Sequence, residues 1–218
     1  VVTTVTPIER NRVNLTFTVT DESEWQDLGI AIPGFHDGVA PLSDERAAEL
    51  DALPFDPDDW TRRTETRVIV GEKGFTPKER LWVRPAIEVI SLLAGDPEGI
   101  ERSVIPREAR ASLSIRTVAN QRNHDVADAL RAFIADVMPR EATYRLELDE
   151  DIAQEPYVSP PGPYRDALER ALALGHGRPI QGRMGNAGGG PAELLSRELD
   201  APVVFLGTGL AEDHWHAS

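Results

Sequence analysis

The chain has 218 residues with a hydrophobic fraction of 40%, which is enough for one large domain or two small ones with an apolar core. Its 23 Lys and Arg against 37 Asp and Glu give a formal net charge of -14 at pH 7, which argues against nucleic acids and anionic membranes as partners. The absence of cysteine excludes disulfides and thiolate metal sites, and no apolar run approaches the roughly 20 residues of a membrane helix.

The first 83 residues contain one regular stretch and one irregular stretch. Alternating apolar and polar residues, many of them β-branched, predict a half-buried strand at 13–20. Residues 21–83 are rich in Pro, Gly, Asp and Trp, which predicts an irregular surface excursion of a kind that is often functional or flexible. Within that excursion we expect one short helix at 43–52, with Ser43 as its N-cap.

Residues 84–150 show regular periodicity, which predicts three strands and one helix. The strands are expected at 86–90, 109–118 and 144–148, and the helix at 123–137. Asn123 is a candidate N-cap for that helix. In the second strand Ala111, Leu113 and Ile115 are expected to face inward. The order β-β-α-β predicts part of a ferredoxin-like split β-α-β sandwich.

The remainder of the chain, after a Pro-rich hinge at 159–163, has the pattern of an α/β domain. Its predicted elements are a helix at 164–174 that ends at Gly175, a glycine-rich loop at 185–190, a helix that Pro191 opens at its first position, and a buried parallel strand at 203–206. The expected fold class of the whole chain is therefore α/β, with an α+β first part.

Four features are candidates for chemistry. Residues 212–216 combine two carboxylates with two imidazoles. On their own they favour a polar loop after a strand, with one end of a zinc site as the alternative. The 185–190 loop, with Arg183 just before it, offers backbone N–H groups to an anion or is simply a tight turn. Taken alone, Arg116 on a polar strand face is best interpreted as a solvated side chain, and so is Ser103, which has no histidine base nearby.

In their order along the chain, several segments resemble the dinuclear zinc metallopeptidases of the carnosinase type, in the aminoacylase and succinyl-diaminopimelate desuccinylase superfamily. Segments similar to the lid domain of those enzymes are 81–86, 103–106 and 114–121, and segments similar to their final active-site stretch are 182–191, 206–210 and 212–216. The resemblance implies an incomplete ferredoxin-like lid and dimerisation domain at 1–155, which includes the 21–83 excursion. The C-terminal part of an α/β/α catalytic domain would follow at 156–218.

The resemblance implies hydrolysis of the amide bond of a dipeptide or N-acyl amino acid by a water that two zinc ions bridge. It also implies a homodimer formed through the lid. His216 matches a metal ligand, and Arg116 matches an arginine that binds the substrate carboxylate in the active site of the partner subunit, which suits a guanidinium fork. The residues assigned to substrate binding are Arg116, Ser103, Arg183, Asn186, Gly188, Gly189 and Gly190, and no residue is assigned a catalytic role.

Several metal ligands and catalytic residues of the family have no counterpart in these 218 residues. The His-x-Asp ligand pair, the bridging aspartate and the Glu-Glu pair that precede the lid are not found. The His-Ser-Gly loop of the lid and the helix after it are also missing. We therefore expect a lid with one helix fewer than usual, with apolar sheet left exposed on that side. We also expect the 218 residues to be inactive alone.

Both ends of the chain look like cuts, so we expect these residues to be part of a longer enzyme. No signal peptide is visible, and the expected location is the cytoplasm. The residues do not separate a dipeptidase from a deacylase, although the Ile-Pro-Gly-Phe segment at 32–35 favours a dipeptidase. The alternative is a non-catalytic dimerisation or binding module of the lid type that lost its catalytic domain.

Overall fold

The computed structural model describes residues 2–8, 12–18, 30–95, 105–106, 108–149, 153–185 and 190–207. Within these ranges the chain is a mixture of strands and helices, as expected from the sequence. The strands are β1 (Val2–Ile8), β2 (Arg12–Thr18), β3 (Ala86–Ala94) and β4 (Ala109–Arg116), and the helices are α1 (Asp44–Asp51), α2 (Pro57–Thr64), α3 (Pro77–Trp82), α4 (Asn123–Val137), α5 (Pro163–His176) and α6 (Ala192–Leu199).

The strands form two separate antiparallel pairs. In the first, β1 pairs with β2 from Val2 opposite Thr18 to Ile8 opposite Arg12. The strand predicted at 13–20 is therefore confirmed over most of its length, and β1 is an additional strand. In the second, β3 pairs with β4, and the register shifts between Val89 and Ser91. Such a shift is a β-bulge, which bends the strand and changes which side chains face the core beyond it.

Helix α4 packs its apolar stripe onto one end of the β3–β4 sheet. Val126 and Leu130 of α4 are buried together with Ile32 and Phe35 from the turn at 32–38. The half-buried residues Ile87, Ile115, Ala129, Phe133, Ile134 and Leu148 pack around this cluster. Because the cluster joins a turn, two strands and a helix that are distant in sequence, it fixes the arrangement of this half of the molecule.

The prediction of an irregular surface excursion at 21–83 is wrong over its described part. Residues 44–82 contain three short helices, and Phe35 and Leu50 are fully buried. The helix expected at 43–52 is confirmed as α1, with the Ser43 hydroxyl accepting the Arg46 N–H at 3.2 Å. Helices of six to eight residues are too short to show a clear hydrophobic period, and side-chain caps define their starts instead.

Capping also links these short helices to one another. At α3, Thr76 and Glu79 form a reciprocal capping box. The buried Lys78 extends from α3 to the end of α1, where its Nζ donates to the carbonyl oxygens of Asp51 at 2.5 Å and Leu53 at 2.9 Å. The Asp51 carbonyl lies in the last turn of α1, where carbonyls lack a partner within the helix, and Leu53 follows just after the C-cap residue. The ammonium therefore bonds to the end of α1 and ties α3 to it.

Two strands predicted from the sequence are not strands in the structure. Residues 144–148 show the expected alternation, with Leu146 and Leu148 half-buried and their neighbours exposed, but they form no ladder with another described segment. Residues 203–206 are also unpaired within the described ranges, and Phe205 and Leu206 are exposed rather than buried. Side-chain periodicity predicts an extended segment, whereas a strand also needs a neighbouring edge to pair with.

Three predicted helix ends are shifted. Helix α4 is preceded by Arg122 as its N-cap residue, so Asn123 lies inside the helix and does not cap it. Helix α5 continues past Gly175 and ends at Gly177, whose φ of +66° is the left-handed conformation that terminates helices. Pro191 is the N-cap residue of α6 rather than its first helical position.

Further along β3 and β4, several described apolar side chains of the sheet are exposed. Val89 and Leu113 lie opposite each other next to the Ile87–Ile115 pair, yet they are 64% and 38% exposed. Leu92, beyond the bulge, is 46% exposed. The expectation that apolar sheet is left exposed is confirmed for these residues, and the inward orientation predicted for Leu113 does not bury it.

Candidate substrate-binding site

Arg116 ends β4, where it lies opposite Ala86 at the beginning of β3. Its side chain is 52% exposed, and its Nε lies 3.9 Å from Oε2 of Glu88 on the neighbouring strand. Both members of this pair are well solvated, and an exposed ion pair contributes at most about 1 kcal/mol. A carboxylate from a ligand can therefore compete with Glu88 for the guanidinium.

The chain just after Arg116 is held rigidly. Thr117 donates its hydroxyl to Oδ1 of Asn123 at 2.8 Å. The Oε1 of Gln121 accepts the Val118 N–H at 3.0 Å, and its Nε2 donates to the carbonyl oxygen of Phe35 at 2.7 Å. Since Gln121 is only 3% exposed, both bonds are shielded from water. They lock the end of β4 to the 32–38 turn and so fix the position of Arg116.

A glycine brings that turn close to the same segment. Gly38 has a φ of +80°, and a Cβ on it would lie 2.7 Å from the carbonyl oxygen of Asn120. Asn120 itself adopts a left-handed conformation, with a φ of 69°. Only a residue without a side chain allows this approach between two backbones. The 32–38 turn and the Arg116 segment therefore behave as one structural unit.

A partly buried charge cluster supports the other side of the turn. Arg84, just before β3, makes a two-point contact with Glu72, at 2.6 Å from Nε and 2.5 Å from the second nitrogen, and its guanidinium stacks 4.2 Å from the Phe75 ring centroid. The Nε2 of His36 lies 3.7 Å from Glu72. Arg84 belongs to the 81–86 segment, but the sequence does not indicate this structural role because its partner Glu72 lies 12 residues away in an irregular loop.

Arg183 is surrounded by carboxylates of the protein itself. Its Nε donates to Glu169 of α5 at 2.6 Å, and another guanidinium nitrogen lies 3.1 Å from Oε1 of Glu49 in α1. The hydrogen bond from Arg183 lowers the pKa of Glu169, and the same bond raises the pKa of Arg183. The substrate-binding role assigned to Arg183 stays a prediction, and the geometry shows a second role that the sequence did not indicate.

Several predicted site residues lie outside the described ranges. These are Ser103, Asn186, Gly188, Gly189 and the metal ligand candidate His216. Gly190 is described, is exposed and has a φ of +63°, a conformation that side chains rarely adopt. At the N-terminal end of the loop, a Cβ on Gly185 would overlap the carbonyl oxygen of Trp82. Both described ends of the loop therefore require glycine.

The described residues alone do not fit a zinc site. Among them, no group of three or more His, Asp or Glu side chains is arranged to hold a metal ion. His124, the histidine nearest to two carboxylates, lies 3.8 Å from Asp125 and 3.5 Å from Asp128 on the exposed side of α4. The residues 212–216, which the sequence nominated as one end of a metal site, are outside the described part of the chain.

No helix in the described part of the chain is both long enough and apolar enough to cross a bilayer.

Comparison with known proteins places this architecture in a recognised group. Residues 36–142 match the family model of the M20 peptidase dimerisation domain. The match includes α1 to α4, the β3–β4 sheet and Arg116. The chain therefore carries an M20-type peptidase dimerisation domain, and the lid resemblance seen in the sequence is confirmed.

Solved M20 peptidases share the fold over a longer stretch. Human carnosine dipeptidase 1 superposes with a TM-score of 0.66 at 18% identity, over 85% of this chain and 39% of that chain. The dipeptidase Dug1p of Saccharomyces cerevisiae gives 0.62 at 17% identity, over 89% and 42%. The M20 family metallo-carboxypeptidase Sso-CP2 of Sulfolobus solfataricus gives 0.58 at 20%, over 82% and 46%. The present chain spans less than half the length of each.

Proposed function

We propose that this chain is the lid and C-terminal part of a metal-dependent hydrolase that cleaves dipeptides or related N-acyl amino acids. The observation that carries the proposal is the extent of the structural match. It covers 82–89% of this chain in three M20 peptidases, well beyond the dimerisation domain at 36–142. The division into a lid at 1–155 and a catalytic segment at 156–218, and a cytoplasmic location, are part of the same proposal.

In this proposal the residues of this chain bind and orient the substrate. Arg116 is half exposed at the end of a rigid strand, and a guanidinium fork matches both oxygens of a carboxylate. It would hold the C-terminal carboxylate of a dipeptide and so fix the scissile amide. The 185–190 loop would add backbone N–H groups to the same carboxylate. Two zinc ions would supply activated water, with His216 as one ligand.

The first test uses the full-length protein that contains these residues. We expect it to hydrolyse unmodified dipeptides, to lose that activity on chelation and to regain it with zinc. The 218 residues purified alone are expected to show no turnover with added zinc, because one candidate ligand cannot supply the full set that zinc binding requires. A full-length protein that binds no divalent metal and cleaves no dipeptide would instead support the non-catalytic module.

The dimer and the role of Arg116 across it can be tested together. If Arg116 acts in the active site of the partner subunit, a mixture of inactive Arg116→Ala and inactive His216→Ala proteins forms some dimers with one complete site. After random mixing, half of the dimers are heterodimers, and each heterodimer has one complete active site out of two. About a quarter of wild-type activity should therefore return. If no activity returns after the subunits have exchanged, Arg116 either acts in the active site of its own subunit or belongs to no active site.

A further inference from the structure

A cavity of about 330 Å³ lies between α2, α3 and the segment 65–76 that joins them. This volume is at the lower end of the range of small-molecule sites, which is about 300–1,000 Å³. The lining is mainly apolar and includes Trp60 of α2, Val68 and Val70 of the joining segment, and Leu81 of α3. Val70 and Leu81 are exposed, so a ligand can reach them. None of these residues belongs to the set that the sequence assigned to substrate binding.

Arg80 is the one charged residue in the described lining of the cavity. Its half-buried side chain is held from two directions. The Nε donates to the carbonyl oxygen of Glu72 at 2.8 Å. A Cβ on Gly71 would lie 2.8 Å from the Arg80 Cδ and 3.2 Å from its Nε, so the Gly71 backbone packs directly against this side chain. The guanidinium is therefore already ordered, which reduces the entropy lost when it binds a ligand.

The carboxylates closest to Arg80 in sequence are engaged by other groups. The carboxylate of Glu72 makes its two-point contact with Arg84. The carboxylate of Glu79 accepts the Thr76 N–H at 2.5 Å in the capping box of α3. Among the described residues, no carboxylate forms an ion pair with Arg80, and its hydrogen bond to the protein uses only the Nε. Its terminal nitrogens can therefore bind an external carboxylate at two points.

Two threonines in the lining offer acceptors but no donors to a ligand. The Thr64 hydroxyl donates to the carbonyl oxygen of Trp60 at 2.8 Å. Because a hydroxyl has a single hydrogen, Thr66 must be the donor in its own 2.8 Å bond to the Thr64 oxygen. Both hydroxyl hydrogens are thus used within the protein, and only lone pairs remain. The polar group of a ligand that matches these oxygens is a donor, such as an ammonium.

We propose that this cavity binds a free α-amino acid with an apolar side chain. The carboxylate pairs with Arg80, the ammonium donates to a threonine oxygen, and the apolar side chain lies against Trp60 and Leu81. The charges are complementary, since the cavity supplies one cation without an ion-pair partner in the described chain. The inference goes beyond the proposed function and does not depend on it, because binding at residues 60–81 is tested without turnover.

The test titrates L-leucine into the full-length Arg116→Ala protein, which lacks the proposed substrate arginine, and follows binding by ligand-observed NMR. The expected dissociation constant is about 1 mM or lower. Adding Arg80→Gln should raise it about tenfold or more, because the charged two-point contact is lost. L-Leucinamide, which has no carboxylate, should bind the Arg116→Ala protein about tenfold more weakly than L-leucine. 4-Methylpentanoate, which has no ammonium, should bind about threefold to tenfold more weakly.

Two further variants separate loss of the site from general damage. Arg67→Gln removes an exposed cation of the same segment that does not line the cavity, and it should leave the dissociation constant unchanged. Val70→Glu, at an exposed lining position, places an internal carboxylate in the cavity and should abolish binding even if Arg80→Gln fails to fold.

Three results would overturn the proposal. They are no saturable binding of L-leucine, the same dissociation constant with and without the Arg80 guanidinium, and unchanged binding in Val70→Glu. Binding of 4-methylpentanoate as tight as that of L-leucine would overturn the assignment to an amino acid. Dipeptide hydrolysis does not enter these comparisons, so a failure of the proposed hydrolase function would be seen separately.

Discussion

Two regions of this molecule hold an arginine in place by different physical means. Around Arg116, the support is a buried apolar cluster and a shielded glutamine that bonds to the Phe35 carbonyl. Around Arg183, the support is a set of partly exposed ion pairs, with 42% of the arginine side chain and 22–24% of the two glutamate side chains accessible. Packing is insensitive to salt and mild acid, whereas exposed ion pairs respond to both.

This difference in structural support distinguishes Arg116 from Arg183, although the sequence assigned the same function to both. Both arginines were assigned to substrate binding, yet the Arg116 side chain is 52% exposed with its Nε 3.9 Å from Glu88, while Arg183 contacts two carboxylates of its own chain at 2.6 and 3.1 Å. A rigid support under an exposed cation suits ligand binding. A cation that already pairs with two carboxylates of its own chain is less available to a ligand.

The largest expected effect is loss of the packing under Arg116. Phe35→Ala would empty a fully buried site in the core cluster and should lower the free energy of unfolding by about 3–5 kcal/mol. Urea denaturation measures the change. Phe55→Ala, which removes a half-buried ring that contacts Trp60 outside this cluster, is the control and should cost clearly less. Equal costs would show that the cluster is not the main support.

A smaller effect is expected from the polar anchor between the turn and β4. Gln121→Ala leaves the buried Val118 N–H and Phe35 carbonyl without their partner, which should cost about 1–3 kcal/mol of unfolding free energy. Gln154→Ala provides a matched removal of an exposed glutamine side chain. The prediction fails if both variants unfold at the same urea concentration.

Acid should weaken the Arg183 region selectively. The pKa of Glu169 is held below its usual value of 4.5, first by the hydrogen bond from Arg183. A depressed folded-state pKa adds stability that is present above the unfolded value and is lost as pH falls through the folded value. The stability difference between wild type and Glu169→Gln should therefore be constant near neutral pH and shrink as pH falls below 4.5. A difference independent of pH down to 3 (about the lowest practical pH) would contradict this.

The smallest expected effect is that of salt. At 1 M salt the screening length is about 3 Å, so exchange of the Arg183 amide, which donates to Glu49, should accelerate about threefold relative to low salt. The Gln121 amide, which donates to the Val118 carbonyl at 3.0 Å, should not change. Equal responses of the two amides would remove the proposed distinction between the regions.

Elements with a clear period were predictable from the sequence. The apolar stripe of α4 and the alternation of β4 each span eight or more residues, which is long enough for a pattern to be recognised. The N-caps Asp56 and Thr76 define the starts of helices α2 and α3. Hydrophobic periodicity contains no information about such caps, so it does not predict these two helices. The segments 144–148 and 203–206 were misassigned because strand pairing depends on a distant neighbour that local pattern cannot supply.

The candidate site was predictable only in part. Arg116 was found through its motif and its polar position on β4, and the structure adds the buried Gln121 anchor beneath it. The pairing of Arg183 with Glu49 could not be predicted, since the two residues are 134 positions apart in sequence. Its one local signal is the pair of glycines at 182 and 185, which indicates close backbone contact without naming the partner.

The role proposed for Arg116, binding of the substrate carboxylate in a hydrolase of the M20 type, can be tested by one kinetic comparison. Hydrolysis of a dipeptide and of its C-terminal amide is measured for full-length wild type and Arg116→Ala. The substitution should lower kcat/KM about 30–100-fold for the dipeptide and less than about threefold for the amide, because only the dipeptide has a C-terminal carboxylate for Arg116 to bind. Equal losses for both substrates, or no loss for either, would contradict it.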